Sequence, residues 1–159
     1  MSVEIRMKKL ARRYTLALLV LTGLFAFRVV AQLIQVLYPV EFLPAFERWH
    51  SGALPYGLLV GVQEVILVAC LRIVWGIFKR TIAPSTKKGK ILFALGIIYL
   101  LGMGTRLIVG LTIAPDHYWF GAIMPTVFHL VLASFVVLYG RFHSMASREL
   151  VEIQKVAPA

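Results

Sequence analysis

The residues with chemistry to offer are few: Arg28, Gln32, Gln35, Gln63, Glu64, Arg106 and His129, each set in otherwise apolar sequence. Arg28, Gln32 and Gln35 follow an i, i+4, i+7 spacing and so share one face of a helix. A guanidinium stays charged, and in hydrocarbon it needs a partner, water or a bound group. Glu64 is the acidic residue available inside the apolar stretches, so it is expected to pair with Arg28 or Arg106. Two guanidiniums against one carboxylate leave a local excess of about one positive charge. An anionic or strongly accepting ligand, water, or a partner subunit's carboxylate would offset it. Glu64 and His129 are also the candidates for a buried acid/base pair. His129 could ligate haem, but His50, His117 and His143 all lie at the ends of the apolar stretches, so no bis-histidine site and no cofactor is expected.

The elements that must position these groups are long apolar runs, about 14–38, 56–78, 91–113 and 118–139. Each is long enough to cross a bilayer as a helix. The chain is 60% hydrophobic over 159 residues, well above the share usual in a soluble domain. The expected fold is therefore an all-α integral membrane protein, a four-transmembrane-helix bundle forming a single membrane domain over 1–159. A basic segment 1–13 precedes it and a mixed-charge tail 141–159 closes it. The first run is too long for a signal peptide's apolar core and is read as a retained span. In the tail, Ser144 is expected to cap a separate short helix reaching about Val156. Between the first two spans, Phe42, Leu43, Phe46 and Trp49 would share one face of a short interfacial helix within Glu41–Pro55.

Charge placement sets the expected orientation. Arg6, Lys8, Lys9, Arg12 and Arg13 precede the first span, Lys79, Arg80, Lys87, Lys88 and Lys90 follow the second, and Arg141, Arg148 and Lys155 follow the fourth. The other two loops hold Arg48 alone. Both termini and the middle loop are therefore expected in the cytoplasm, most simply across a bacterial inner membrane. The net charge of +10 is explained by this topology and by anionic lipid headgroups, and nucleic acid is not an expected partner.

With the helices laid across the bilayer, Arg28, Glu64, Arg106 and His129 fall in one layer, slightly to the outer side, with Gln32, Gln35 and Gln63 above it. Gly57 and Gly61 share a face with Glu64, and Gly102 and Gly110 flank Arg106. Small residues mark helix contacts in membranes, so these faces are expected to point inward. Outside, Glu47, His50, Asp116 and His117 could approach one another, without a diagnostic metal-ligand spacing. Cys70, the lone cysteine, excludes an internal disulfide. No nucleophile elbow, phosphate-binding loop or zinc-protease motif is present.

The segment Leu37-Tyr38-Pro39-Val40-Glu41-Phe42 resembles the same point in the emopamil-binding (EXPERA) family of sterol-binding proteins and isomerases. That family also carries a carboxylate in its second span, where this chain has Glu64. The resemblance covers six residues and the general topology, and the family's further acidic residues and aromatic pattern are not present here.

Three functions fit this reading. The first is a non-catalytic accessory subunit, with other membrane subunits or a second copy as partner. The second is a binder of an amphiphilic lipid, quinone or isoprenoid, using Arg28, Gln32, Gln35, Gln63, Glu64, Arg106 and His129. The third is a sterol-isomerase-like enzyme using Glu64 and His129, the reading that the resemblance implies.

Overall fold

A computed structural model describes residues 3–49 and 55–156. It contains α1 (Val3–Leu37), α2 (Phe46–Trp49), α3 (Tyr56–Phe78), α4 (Thr86–Thr112) and α5 (Ile123–Val156). The four long helices are each long and apolar enough to cross a membrane. They make this a small multi-pass membrane protein built as a helical bundle.

The boundaries differ from the expected ones where local chemistry overrides hydropathy. The basic segment before the first span is helical, because nothing between Val3 and Arg13 breaks a helix. The third span begins five residues early, at Thr86, because Ser85 caps it by accepting a hydrogen bond from the Lys88 amide. The fourth begins at Ile123 instead of Tyr118, since Pro115–Gly121 is spent on a turn in which the Gly121 amide donates to the His117 carbonyl. No break separates the fourth span from the tail. Ser144 is not a cap, because its hydroxyl donates to the Gly140 carbonyl one turn back, inside a continuous α5. Of the expected interfacial helix, the described residues hold the single turn of α2, and its part over 50–54 lies outside the described residues. Phe42 stays exposed while Trp49 is buried, so the four aromatic and aliphatic residues do not form one membrane-facing stripe.

The middle of the bundle is the antiparallel pair α1 and α5. Arg6 pairs with Glu149 at 3.6 Å, and the Tyr14 and Phe142 rings meet edge to face at 5.6 Å. Among the described residues, α3 packs its main chain closely only on α1, and α4 packs only on α5 among the long helices. The core lies toward the basic end, where Ala11 and Leu18 meet Cys70, Val74 and Ile77 of α3 and Phe135, Phe142 and Ala146 of α5. The α3–α4 connection is anchored there as well, since the Ser85 amide donates to Nδ1 of the buried His143.

The α4–α5 seam is closed by glycine. A Cβ at Gly96 would lie 2.8 Å from the Val137 amide nitrogen, and one at Gly89 or Gly140 would strike the facing main chain. Helix α3 ends in a Schellman turn, with the Thr81 amide bonded to the Gly76 carbonyl and the Arg80 amide to that of Ile77. The left-handed position in that turn is held by Arg80 at φ 58°, where glycine is usual. A non-glycine residue there costs on the order of 1 kcal/mol.

Candidate functional site

Arg28, Gln32 and Gln35 lie on one buried face of α1, as their spacing requires. Arg28, Glu64, Arg106 and His129 sit roughly 9 to 14 Å in from the loop-end terminus of their helices, at 1.5 Å per residue. Four helices therefore do bring polar residues to a similar depth. What each one faces differs from the expectation.

The two guanidiniums are held by main-chain oxygen and by aromatic rings. Arg28 donates from Nη2 to the Trp49 carbonyl at 3.1 Å, and its guanidinium lies 5.6 Å from the Phe128 ring centroid. Trp49 in turn donates from Nε1 to the Pro44 carbonyl and stacks on Phe128. One arginine thus ties α1, α2 and α5 together. Arg106 repeats the device on the other hairpin. Its Nε and Nη2 both donate to the Trp119 carbonyl, at 3.2 and 2.6 Å, and its guanidinium stacks 4.1 Å over the Trp119 ring. Such cation–π contacts are strong where water is excluded. Both buried arginines therefore fasten a loop at the end opposite the basic one.

Glu64 joins neither arginine. It is exposed on the outer face of α3, and Arg6–Glu149 is the ion pair found among the described residues. The reason is angular. Helix α3 presents Gln63, Cys70, Val74 and Ile77 to its neighbours, and Glu64 sits about 100° around from Gln63. Gly57 and Gly61 go outward with it, and neither has an atom within 4 Å of a virtual Cβ. The inward orientation expected for this face is therefore reversed. Of the glycines beside Arg106, Gly110 packs on the Phe120 main chain while Gly102 faces open space. The structure does not bring Glu64 to His129, because Glu64 is on the exposed side of α3, away from the face that packs on α1 and α5.

Gln35 is a loop organiser. Its Nε2 donates to the Leu43 and Pro44 carbonyls, at 2.9 and 2.8 Å, while Oε1 accepts from the Val40 amide. It lines a groove of about 830 Å³ at the loop end, with Glu41 and Glu47 beside it. Gln32 and Gln63 meet across the α1–α3 interface, with Nε2 of Gln63 donating to Oε1 of Gln32 at 3.4 Å. That leaves three buried polar atoms without a protein partner: Arg28 Nε, Gln32 Nε2 and Gln63 Oε1. Two are donors and one is an acceptor, so bridging water or a small polar group would complete them.

His129 bonds through Nδ1 to the Tyr99 hydroxyl at 2.6 Å. Both guanidiniums lie close enough to interact with it electrostatically. Tyr99 stands seven residues before Arg106, on the same face of α4. That spacing was the available signal for a residue otherwise missed. Trp49, Phe128 and Trp119 were missed because their roles run through main-chain oxygens and rings. At the surface, Glu47, Asp116 and His117 line one cleft, His50 lies outside the described residues, and no set of three metal-ligating side chains gathers among the described residues.

Comparison with known protein families, with curated proteins and with solved structures returns no match to this chain.

Proposed function

We propose that this protein is a non-catalytic subunit of a larger membrane assembly, docked to its partner through the α3 face that carries Gly57, Gly61 and Glu64. The observation behind this reading is the outward carboxylate. Glu64 lies about 12 Å into α3 and faces where lipid would otherwise be. A carboxylate side chain at the centre of a span costs about 2.5 to 3.5 kcal/mol on insertion scales. The bare glycines one and two turns before it allow a second helix to approach closely. The partner that fits is a transmembrane helix carrying a lysine, arginine or amide donor at that depth. A two-fold pair of this chain would set two Glu64 carboxylates against each other, which like-charge repulsion disfavours. By the positive-inside rule the basic end faces the cytoplasm, so the contact lies in the outer half of a bacterial inner membrane.

Affinity purification of the full chain in mild detergent tests the proposal. Wild type should bring down a membrane subunit in fixed ratio, and Glu64→Leu should lose it while the isolated chain unfolds at an unchanged or higher midpoint. Retention of the partner at wild-type ratio by Glu64→Leu would sink the idea, as would recovery of a second copy alone.

A second reading rests on a different observation, the unpaired Arg28 Nε, Gln32 Nε2 and Gln63 Oε1. These suit an amphiphile with a carbonyl or acidic head, such as a lipid, quinone or isoprenoid. Native mass spectrometry of Arg28→Ala and Arg106→Ala addresses it: small molecules that remain bound in both variants exclude the layer as their site.

A further inference from the structure

A groove of about 570 Å³ runs between α1 and α3 at the basic end. Its mouth is lined by Lys8, Arg12 and Arg80. Among the described residues no carboxylate pairs with any of the three, and the ion pair of this end uses Arg6. Deeper along the same α1 stripe comes Thr15, three residues and about 4.5 Å beyond Arg12. Thr15 lines the groove but is more than nine-tenths buried, and its hydroxyl, closed off from solvent, has no hydrogen-bond partner. Beyond Thr15 the walls are apolar, with Leu16 and Leu19 on one side and Trp75 on the other. Lys79 holds the Trp75 wall from above, its Nζ 4.9 Å from the ring centroid.

We infer that this groove is a binding site for an anionic glycerophospholipid of the leaflet at the basic end. The order of groups along the groove matches the order along such a lipid. The phosphate meets three cations, and an acyl chain lies along Leu16, Leu19 and Trp75. Arg80 supplies the independent sign. It holds the left-handed position of a Schellman turn, where glycine would sit without strain, and from there Arg80 lines the groove. A strained residue whose side chain supplies charge to a site is the pattern expected where function opposes local stability. The site lies at the opposite end of the molecule from Glu64 and does not depend on the assembly reading.

The experiment uses the full chain in mild detergent, titrated by native mass spectrometry with phosphatidylglycerol or phosphatidylcholine of identical acyl chains. Wild type should prefer phosphatidylglycerol about tenfold or more, and each cation removed should lower that preference about fivefold. Arg80→Gly is the decisive variant: it relieves the turn, so its unfolding midpoint without lipid should rise while its preference falls. Arg12→Ala combined with Arg80→Gly should abolish the preference. Lys87→Ala combined with Lys88→Ala, which removes two cations outside the groove, should leave it intact. The inference is overturned if wild type shows no preference, if Arg80→Gly keeps it, or if the Lys87 and Lys88 variant loses as much. Full displacement of phosphatidylglycerol by free glycerol phosphate would also overturn it, by showing an anion site that needs no acyl chain.

Discussion

An alanine at Gly96 would put a methyl carbon 2.8 Å from the Val137 amide nitrogen and 3.1 Å from its Cα. Both are main-chain atoms, so α5 cannot give way by changing a rotamer. To reach an ordinary contact of 3.4 Å the seam must open by 3.4 − 2.8, or about 0.6 Å, at that level. A gap of 0.5 to 1 Å already forfeits roughly a quarter to a half of a dispersion contact, and overpacking of this kind costs about 1 to 3 kcal/mol. Alanine also gains about 1 kcal/mol of helix propensity over glycine. Gly102 isolates the two effects. It lies on the same helix, six residues on, with no atom within 4 Å of its virtual Cβ. The propensity gain is common to both substitutions and cancels in their difference. Gly96→Ala should therefore be less stable than Gly102→Ala by about 1 to 3 kcal/mol, and Gly102→Ala should equal or exceed wild type. Equilibrium unfolding of the isolated chain in mixed detergent micelles, followed by circular dichroism, measures both. If the two variants fall within about 0.5 kcal/mol of each other, α4 and α5 do not meet main chain to main chain at this level.

Other parts of the molecule give equally definite expectations. Gln35→Leu removes the fastening of the 38–45 segment and should cost about 2 kcal/mol with faster proteolysis there; an unchanged cleavage rate would contradict the bonding seen. Arg106→Lys keeps the charge but loses the fork on the Trp119 carbonyl, so amide exchange across 114–121 should speed up about tenfold while the 38–49 segment stays protected, and equal exchange in both segments would count against it. Gln32→Leu and Gln63→Leu should each cost about 1 kcal/mol, yet the double variant should be close to neutral, because two half-satisfied amides leave together. Additive losses in that cycle would mean the amides are not partners.

Hydropathy made the four spans legible, because nothing but length and apolar content is needed to find them. Their ends were less so: Ser85 and the 115–121 turn act through capping and turn geometry that moves a boundary by five residues. The Arg28, Gln32 and Gln35 face was readable from spacing alone. The direction of Glu64 was not, since it rests on which of two adjacent residues, Gln63 or Glu64, faces α1. That choice is made by Cys70, Val74 and Ile77 at the other end of the same helix. The partners of Arg28 and Arg106 were hidden for a different reason. Carbonyl oxygens occur at every residue and leave no mark in a sequence, whereas a carboxylate does, so Glu64 stands out there and the carbonyls of Trp49 and Trp119 do not.

The neighbour relations of the long helices have a consequence for biosynthesis. The molecule is two hairpins, α1 with α3 and α4 with α5, meeting along the α1–α5 face. Helix α1 thus waits for α5, made later, before its second side is covered. Ala83 and Pro84 lie between the hairpins, so a chain divided at that point should yield two halves, each inserted on its own, that recombine when made together. Reconstitution from separate genes would follow from the packing order alone.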